Sequence, residues 1–168
     1  MKITLKELLK KIDKDKKEHS CVVILDELTD VHNVGAIIRS SVAAGADAIV
    51  VGKHNQAPIN ETVARTSANT VGMIPIIEMN VNDAIRTLKD NKYWVHGLFM
   101  QGGSTLWSSD LTGKVAIVVG SEGEGINDLT KKLCDFSLSI PMDKKVESLN
   151  ASVSAAIALY ERLRQISK

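Results

Sequence analysis

The sequence predicts an α/β domain with a mostly parallel sheet and helices on both of its faces. Three observations carry that prediction. Short apolar runs of strand length alternate with stretches of helical periodicity; the apolar runs are continuous rather than alternating; and Asn, Gly or Pro punctuates most junctions. A strand that is apolar at every position is covered on both faces, which is the signature of a parallel sheet sandwiched between helices.

The elements follow in order. Thr4 with Glu7 has the form of a capping box, and Leu5, Leu8, Leu9 and Ile12 recur at helical spacing. Lysines 14, 16 and 17 come next, so residues 1–20 read as an amphipathic helix with a basic, solvated tether, or as a contact to RNA phosphates. Residues 21–168 read as the main domain. Residues 22–25 form the first strand, 33–44 a helix that Gly45 closes in the C′ position, and 48–51 the second strand. Asn60 starts a helix over 60–67. Residues 73–77 form a third strand, where Pro75 argues for an edge or a bulge. Asn82 starts a helix to about residue 89. Strands over 93–99 and 115–119, a helix over 127–134, a sixth strand over 136–140 and a long helix over 149–166 complete the pattern.

Bulk properties bound the function. At 168 residues the chain is of single-domain size, and 21 basic residues against 20 acidic ones leave a net charge of +1. That balance excludes a uniformly basic nucleic-acid binder but not a local basic patch. No apolar run reaches the roughly 20 residues that span a bilayer, and the first residues lack a secretory pattern. Cys21 and Cys134 are far apart and in no CxxC arrangement, as in a reducing compartment. The expected location is the cytoplasm.

Three segments carry the chemistry. Gly120-Ser121-Glu122-Gly123-Glu124-Gly125 sits between an apolar strand and a helix, where glycines permit close backbone approach to a ligand. Its spacing is neither that of a dinucleotide fingerprint nor that of a phosphate-binding P-loop. Glu122 is placed to hold a hydroxyl or an amine. In the second segment, Asn33 occupies an N-cap position. Gly35 in the first turn weakens the helix by up to about 1 kcal/mol, so something approaches the backbone there. Arg39, on a flank of this helix, suits a phosphate. The third segment runs from Ile140 to Asn150; Pro141 ends the strand, Ser148 is a candidate N-cap, and Asn150 falls in the first turn. Each residue also has an ordinary structural role. The set, however, falls on strand-to-helix connections, where sheets of this type bind ligands. No Ser-His-Asp set, metal-ligand spacing or paired carboxylates compete with it, and His32 alone of the four histidines is nearby.

In Asn33-x-Gly35-x-x-x-Arg39, Gly120-Ser121-Glu122-Gly123-x-Gly125 and Ile140-Pro141-Met142 through Ser148-Leu149-Asn150 the chain resembles the SpoU (TrmH/RlmB-like) RNA 2′-O-ribose methyltransferases of the SPOUT superfamily. The resemblance spans roughly residues 21–165 with the motifs in order. It implies a C-terminal deep trefoil knot whose loops hold S-adenosylmethionine, with Leu98, Gly120, Ile140, Met142 and Leu149 lining the adenosine pocket. It further implies that Arg39 is the central catalytic residue, that Asn33, Glu122 and Asn150 shape the site, and that Ser148 supports the cofactor or the arginine. The implied partners are an RNA, ribosomal or transfer, and a second copy of the chain in a homodimer, with no metal. The stretch around Ser148–Val153 resembles the ribosomal-RNA branch more than the transfer-RNA branch.

Two departures stand out. Lys144 replaces a frequent glycine, and Arg65-Thr66-Ser67-Ala68-Asn69 replaces a small-residue, glycine-containing stretch. Many relatives also carry a separate RNA-binding domain ahead of the catalytic one. The alternative reading is a non-catalytic RNA-binding or assembly factor on the same fold; a nucleotide-binding oxidoreductase is a weaker third, disfavoured by the glycine spacing.

Overall fold

The computed structural model describes residues 2–99, 102–121 and 126–167. Its centre is one parallel sheet of seven strands: β1 (Ser20–Asp26), β2 (Ala48–Val51), β3 (Ile76–Glu78), β4 (Trp94–Leu98), β5 (Ser104–Thr105), β6 (Lys114–Gly120) and β7 (Phe136–Ser139). Their spatial order is β3-β2-β1-β6-β4-β7-β5, and every pairing is parallel. The helices are α1 (Leu5–Lys14), α2 (Val31–Ala43), α3 (Glu61–Thr66), α4 (Val81–Asp90), α5 (Asp128–Leu133) and α6 (Ala151–Ile166). This strand order is consistent with the expected knot.

The continuous strands divide the interior into two cores. All seven residues of β1 are buried. Because side chains alternate across a strand, Cys21, Val23 and Leu25 face one side, and Val22 and Ile24 the other. On the first side Val34, Ile37 and Ile38 of α2, Val63 of α3, and Ala155, Ala158 and Leu159 of α6 close the core. On the other, Ala84, Ile85 and Leu88 of α4 do so, joined by Leu5, Leu8, Leu9 and Ile12 of α1. The amphipathic N-terminal helix is therefore docked on the sheet. Its capping box is complete: Glu7 N–H donates to Thr4 Oγ1 at 3.2 Å and Thr4 N–H to Glu7 Oε2 at 2.9 Å. The stretch that follows is tied down as well, since Lys17 pairs with Asp47. Asp47 also accepts from Ser20 Oγ at 2.8 Å.

Several boundaries differ from the sequence reading. Asp30, not Asn33, caps α2 and accepts from His32 N–H at 2.8 Å; a carboxylate satisfies both the orphan donors and the helix dipole. Asn80, not Asn82, caps α4. Asn150, not Ser148, caps α6, which starts at Ala151. The third strand begins at Ile76 rather than at residue 73, because Val71–Met73 forms a single 3₁₀ turn and Pro75 has no N–H for a ladder. It is an edge strand, as the proline argued. β5 was not foreseen: two exposed polar residues carry no strand signal.

Gly35 is explained within the fold. A Cβ there would lie 1.8 Å from Thr66 Oγ1 and 2.7 Å from its Cβ. The group that approaches this backbone is therefore α3, and the glycine lets α2 and α3 cross closely. Immediately after α3, Ala68 (φ +54°) and Asn69 (φ +62°) both adopt left-handed conformations. Asparagine tolerates this region, whereas alanine is strained there. Relieving that strain in Ala68→Gly is expected to raise stability by about 0.5–1 kcal/mol, net of chain entropy; equilibrium urea unfolding measures it.

His96 in β4 is 2% exposed, stacks on Phe136 with ring centroids 5.0 Å apart, and among the described residues finds no hydrogen-bond partner for either ring nitrogen. Burial, partly offset by Asp135 and Asp110, lowers its pKa below the ordinary 6.5. The folded state thus prefers the neutral ring. This contribution to stability is complete above about pH 6.5 and is lost as pH falls through the lowered folded value, because the unfolded chain binds the proton more readily. His96→Leu is expected to flatten the acid side of the stability–pH curve, by no more than about 1.4 kcal/mol per pH unit. Urea titrations between neutral pH and pH 5 test this; parallel curves for the two proteins would refute it.

Candidate active site

The candidate residues gather where strands end. Gly97 of β4 pairs with Val118 of β6, and Leu98 pairs with Leu138 of β7. β6, β4 and β7 are neighbours in the sheet, so Gly120, Leu98 and Ile140 emerge side by side at its carboxyl edge. Leu98 and Ile140 are half-buried against the first core. Residues 141–148 form an exposed loop beyond β7, with Met142 36% and Val146 48% exposed. An apolar strand-end shelf with a glycine on one side and a loop carrying exposed apolar side chains on the other suits a flat, partly apolar ligand.

One hydrogen bond joins the first motif to the third. Asn150 Nδ2 donates to Asn33 Oδ1 at 3.1 Å, across 117 positions of sequence. Both residues are freed for this by local structure. With Asp30 as the cap, Asn33 sits inside the first turn of α2, 5% exposed. Asn150 uses its Oδ1 for the cap, accepting from Ser152 N–H at 2.9 Å and Val153 N–H at 3.2 Å, and its Nδ2 for Asn33. The N-terminal ends of α2 and α6 are thereby locked together.

Other candidates stand apart from this pair. Arg39 is exposed, and among the described residues it makes no ion pair or hydrogen bond. Six residues separate it from Asn33, which places it about 9 Å along α2 and about 120° around the helix. Ser148 and Leu149 lie in the loop before α6, Ser148 exposed and Leu149 half-buried. Glu122 and the glycines at 123 and 125 lie outside the described residues.

Lys144 does not strain its loop. It is absent from the residues with positive φ, and the turn around it is closed by Lys145 N–H donating to Asp143 Oδ1 at 2.8 Å. A glycine is not required there for backbone reasons.

The sequence reading missed Asp26. It ends β1, pairs in register with Gly120, and is 6% exposed. Burial raises its pKa, opposed by the N–H of Asn127, which donates to it at 3.3 Å. Glu27, His54, Asn82 and Thr130 line a polar cleft of about 140 Å³ beside it. The available signal was an acid closing an otherwise apolar strand. The two thiols are chemically quiet: burial pushes both Cys21 and Cys134 up to about 12. Among the described residues no three His, Cys, Asp or Glu side chains cluster to hold a metal ion.

Asn150→Ala removes a cap and the Asn33 contact together, and is expected to cost about 1–2 kcal/mol in urea unfolding. Asn150→Asp keeps the capping oxygen but has no N–H for Asn33, so it should recover most of the stability. If the aspartate variant is as unstable as the alanine variant, capping is not what the side chain contributes.

Comparisons with known proteins bear on this geometry. The profile of the SpoU rRNA Methylase family matches residues 20–160. The 23S rRNA (guanosine-2′-O-)-methyltransferase RlmB of Xanthomonas campestris is 41% identical over 145 residues, covering 86% of this chain and 58% of that protein. Its Escherichia coli K12 counterpart is 40% identical over 147 residues, covering 87% and 60%. The chain thus spans about three fifths of the length of these relatives. Among solved structures, the SpoU methyltransferase AviRb of Streptomyces viridochromogenes in complex with AdoMet superposes with a TM-score of 0.82 at 27% identity, over 89% of this chain and 58% of that one. An AdoMet-bound rRNA methyltransferase of Sinorhizobium meliloti gives 0.84 at 27% identity, over 90% and 59%.

Proposed function

Because this chain belongs to the SpoU rRNA methylase family, we propose that it transfers a methyl group from S-adenosylmethionine to a ribose 2′-hydroxyl of RNA, ribosomal RNA being the favoured substrate. The observation that carries this reading is the Asn33–Asn150 hydrogen bond. It joins the first and third motifs across 117 positions of sequence, while Gly120 of the second ends a strand at the carboxyl edge of the same sheet.

Leu98, Gly120, Ile140, Met142 and Leu149 would hold the cofactor. Their chemistry fits: apolar side chains for the adenine faces, and backbone groups at strand ends for its polar edges. When bound, the cofactor supplies a sulfonium methyl group for in-line transfer. The chain's own contribution is then positioning, which alone can account for a large part of such a rate. Asn33, Asn150 and Glu122 set the ribose against the methyl donor, and Ser148 supports the cofactor or the arginine. Arg39 presents a fixed fork of donors and no acceptor. Its role is to hold the phosphate next to the reactive ribose and to orient the hydroxyl, whose proton passes to solvent as the C–O bond forms.

The same reading includes a homodimer. Arg39 is turned away from the asparagine pair of its own chain, and the exposed Val153 and Tyr160 lie two turns apart on one face of α6. A second copy packed there would bring further groups to the site. No helix among the described residues is long and apolar enough to cross a membrane, and the place of action on this reading is the cytoplasm.

Calorimetry with S-adenosylmethionine and methyl-transfer assays on ribosomal and transfer RNA test the proposal. Arg39→Ala is expected to lower kcat by at least about 100-fold, or about 2.7 kcal/mol, with cofactor affinity unchanged. Arg39→Lys, which keeps charge but loses the fork, should recover only part of it. Failure of the unmodified protein both to bind the cofactor and to label RNA would end the proposal.

A further inference from the structure

The charge of this nearly neutral protein is unevenly placed. Residues 2–17 contain seven lysines and three acids, while the remainder of the chain is net acidic. The fold sorts those lysines. Lys17 is committed to Asp47. Asp13 is engaged by Lys114 at 3.3 Å. Glu7 is used in the capping box. Lys6, Lys10 and Lys14 are exposed and have no acidic partner among the described residues. They stand four residues apart, so they form one stripe along α1 with about 6 Å between successive positions.

The stripe has a direction. The start of α1 shares a groove with Val51, at the carboxyl end of β2, and with the whole length of β3 from Pro75 to Met79. Its far end lies by Asp47 and Lys114, at the amino ends of β2 and β6. The stripe therefore begins on the edge of the sheet that carries the candidate active site, about three strand spacings from Gly120, and runs down the flank. Lys6 sits in the first turn, where a cation opposes the helix dipole; folding gives no reason for a lysine there.

We infer that Lys6, Lys10 and Lys14 form a phosphate track that holds a strand of the substrate RNA as it leaves the active site. This rests on the RNA methyltransferase reading for the identity of the strand, but on charge and geometry for the track. A membrane surface does not fit, because the apolar face of α1 is spent on the core: Leu5, Leu8, Leu9 and Ile12 are all below 8% exposed. Among the described residues, no apolar side chain of α1 itself remains to insert into lipid. Unpaired ammonium groups at regular intervals match a polyanion, and each phosphate neutralised releases bound counterions.

The test uses the full chain and a fluorescent single-stranded RNA of roughly 20 nucleotides. Its affinity is measured across a salt series for the unmodified protein, for Lys6→Gln/Lys10→Gln/Lys14→Gln, and for the corresponding triple arginine variant. The glutamine variant should bind roughly 10- to 100-fold more weakly at low salt, and its log–log salt slope should fall by about 2, the value for three lost contacts to a single strand. The arginine variant should behave like the unmodified protein. Thermal melting and cofactor calorimetry should be unchanged in both, since none of the three lysines reaches the core or the shelf. An unchanged slope in the glutamine variant overturns the track, whichever other macromolecule the stripe serves. If the slope falls as expected while the unmodified protein binds no S-adenosylmethionine, the track stands and the methyltransferase reading falls.

Discussion

The pairing of β1 with β6 is the constraint from which the rest of the structure follows. Seven consecutive residues pair in parallel register, Ser20 with Lys114 through Asp26 with Gly120, with β1 wholly buried. A one-residue slip would turn Cys21, Val23 and Leu25 toward the other core and strand Asp26 on the wrong face. The register also sets which loops end together. Because β6, β4 and β7 are neighbours, it sets Gly120 beside Leu98 and Ile140. The shelf is thus a property of the most buried part of the sheet, although the residues that form it are strand ends and loops.

On that frame the helix N-termini do double work. The side chain of Asn150 caps α6 and reaches Asn33, and Asn33 can answer only because Asp30 has taken over the capping of α2. Stability and site geometry are coupled through a single amide. The close crossing of α2 and α3 at Gly35 adds to this, since it holds the start of α2 against Thr66. The site thus rests on helix ends anchored by packing, while the loop over residues 141–148 stays exposed. That division suits a site whose rigid groups position a substrate and whose loop admits a cofactor.

α1 extends the same logic to the surface. Its apolar side completes the second core and its lysine side faces outward. A segment that reads in sequence as an amphipathic helix with a solvated tether is, in the fold, a docked helix with a charged stripe in a set orientation. Orientation is what distinguishes a track from a scatter of surface charge.

The sequence by itself determined the parallel α/β class and five of the seven strands to within a residue or two, and it named candidates for a site. These rest on local signals: continuous apolar runs, helical spacing, and the glycines and asparagines at junctions. It determined the caps of α1 and α3, Thr4 and Asn60, but not those of α2, α4 and α6, since Asp30 and Asn33, Asn80 and Asn82, and Ser148 and Asn150 are nearly equivalent in local preference. Only the tertiary structure decided those cases. At α2 and α6 the residue displaced from a cap, or retained in one, had a partner far away in sequence. β5 was invisible for the same reason: two exposed polar residues form a strand only because β7 presents its edge to them. Asp26 became noticeable only when register set it opposite Gly120. Local chemistry names the candidates, and long-range pairing decides which of them meet, because a hydrogen bond across 117 residues leaves no trace in the spacing of either end.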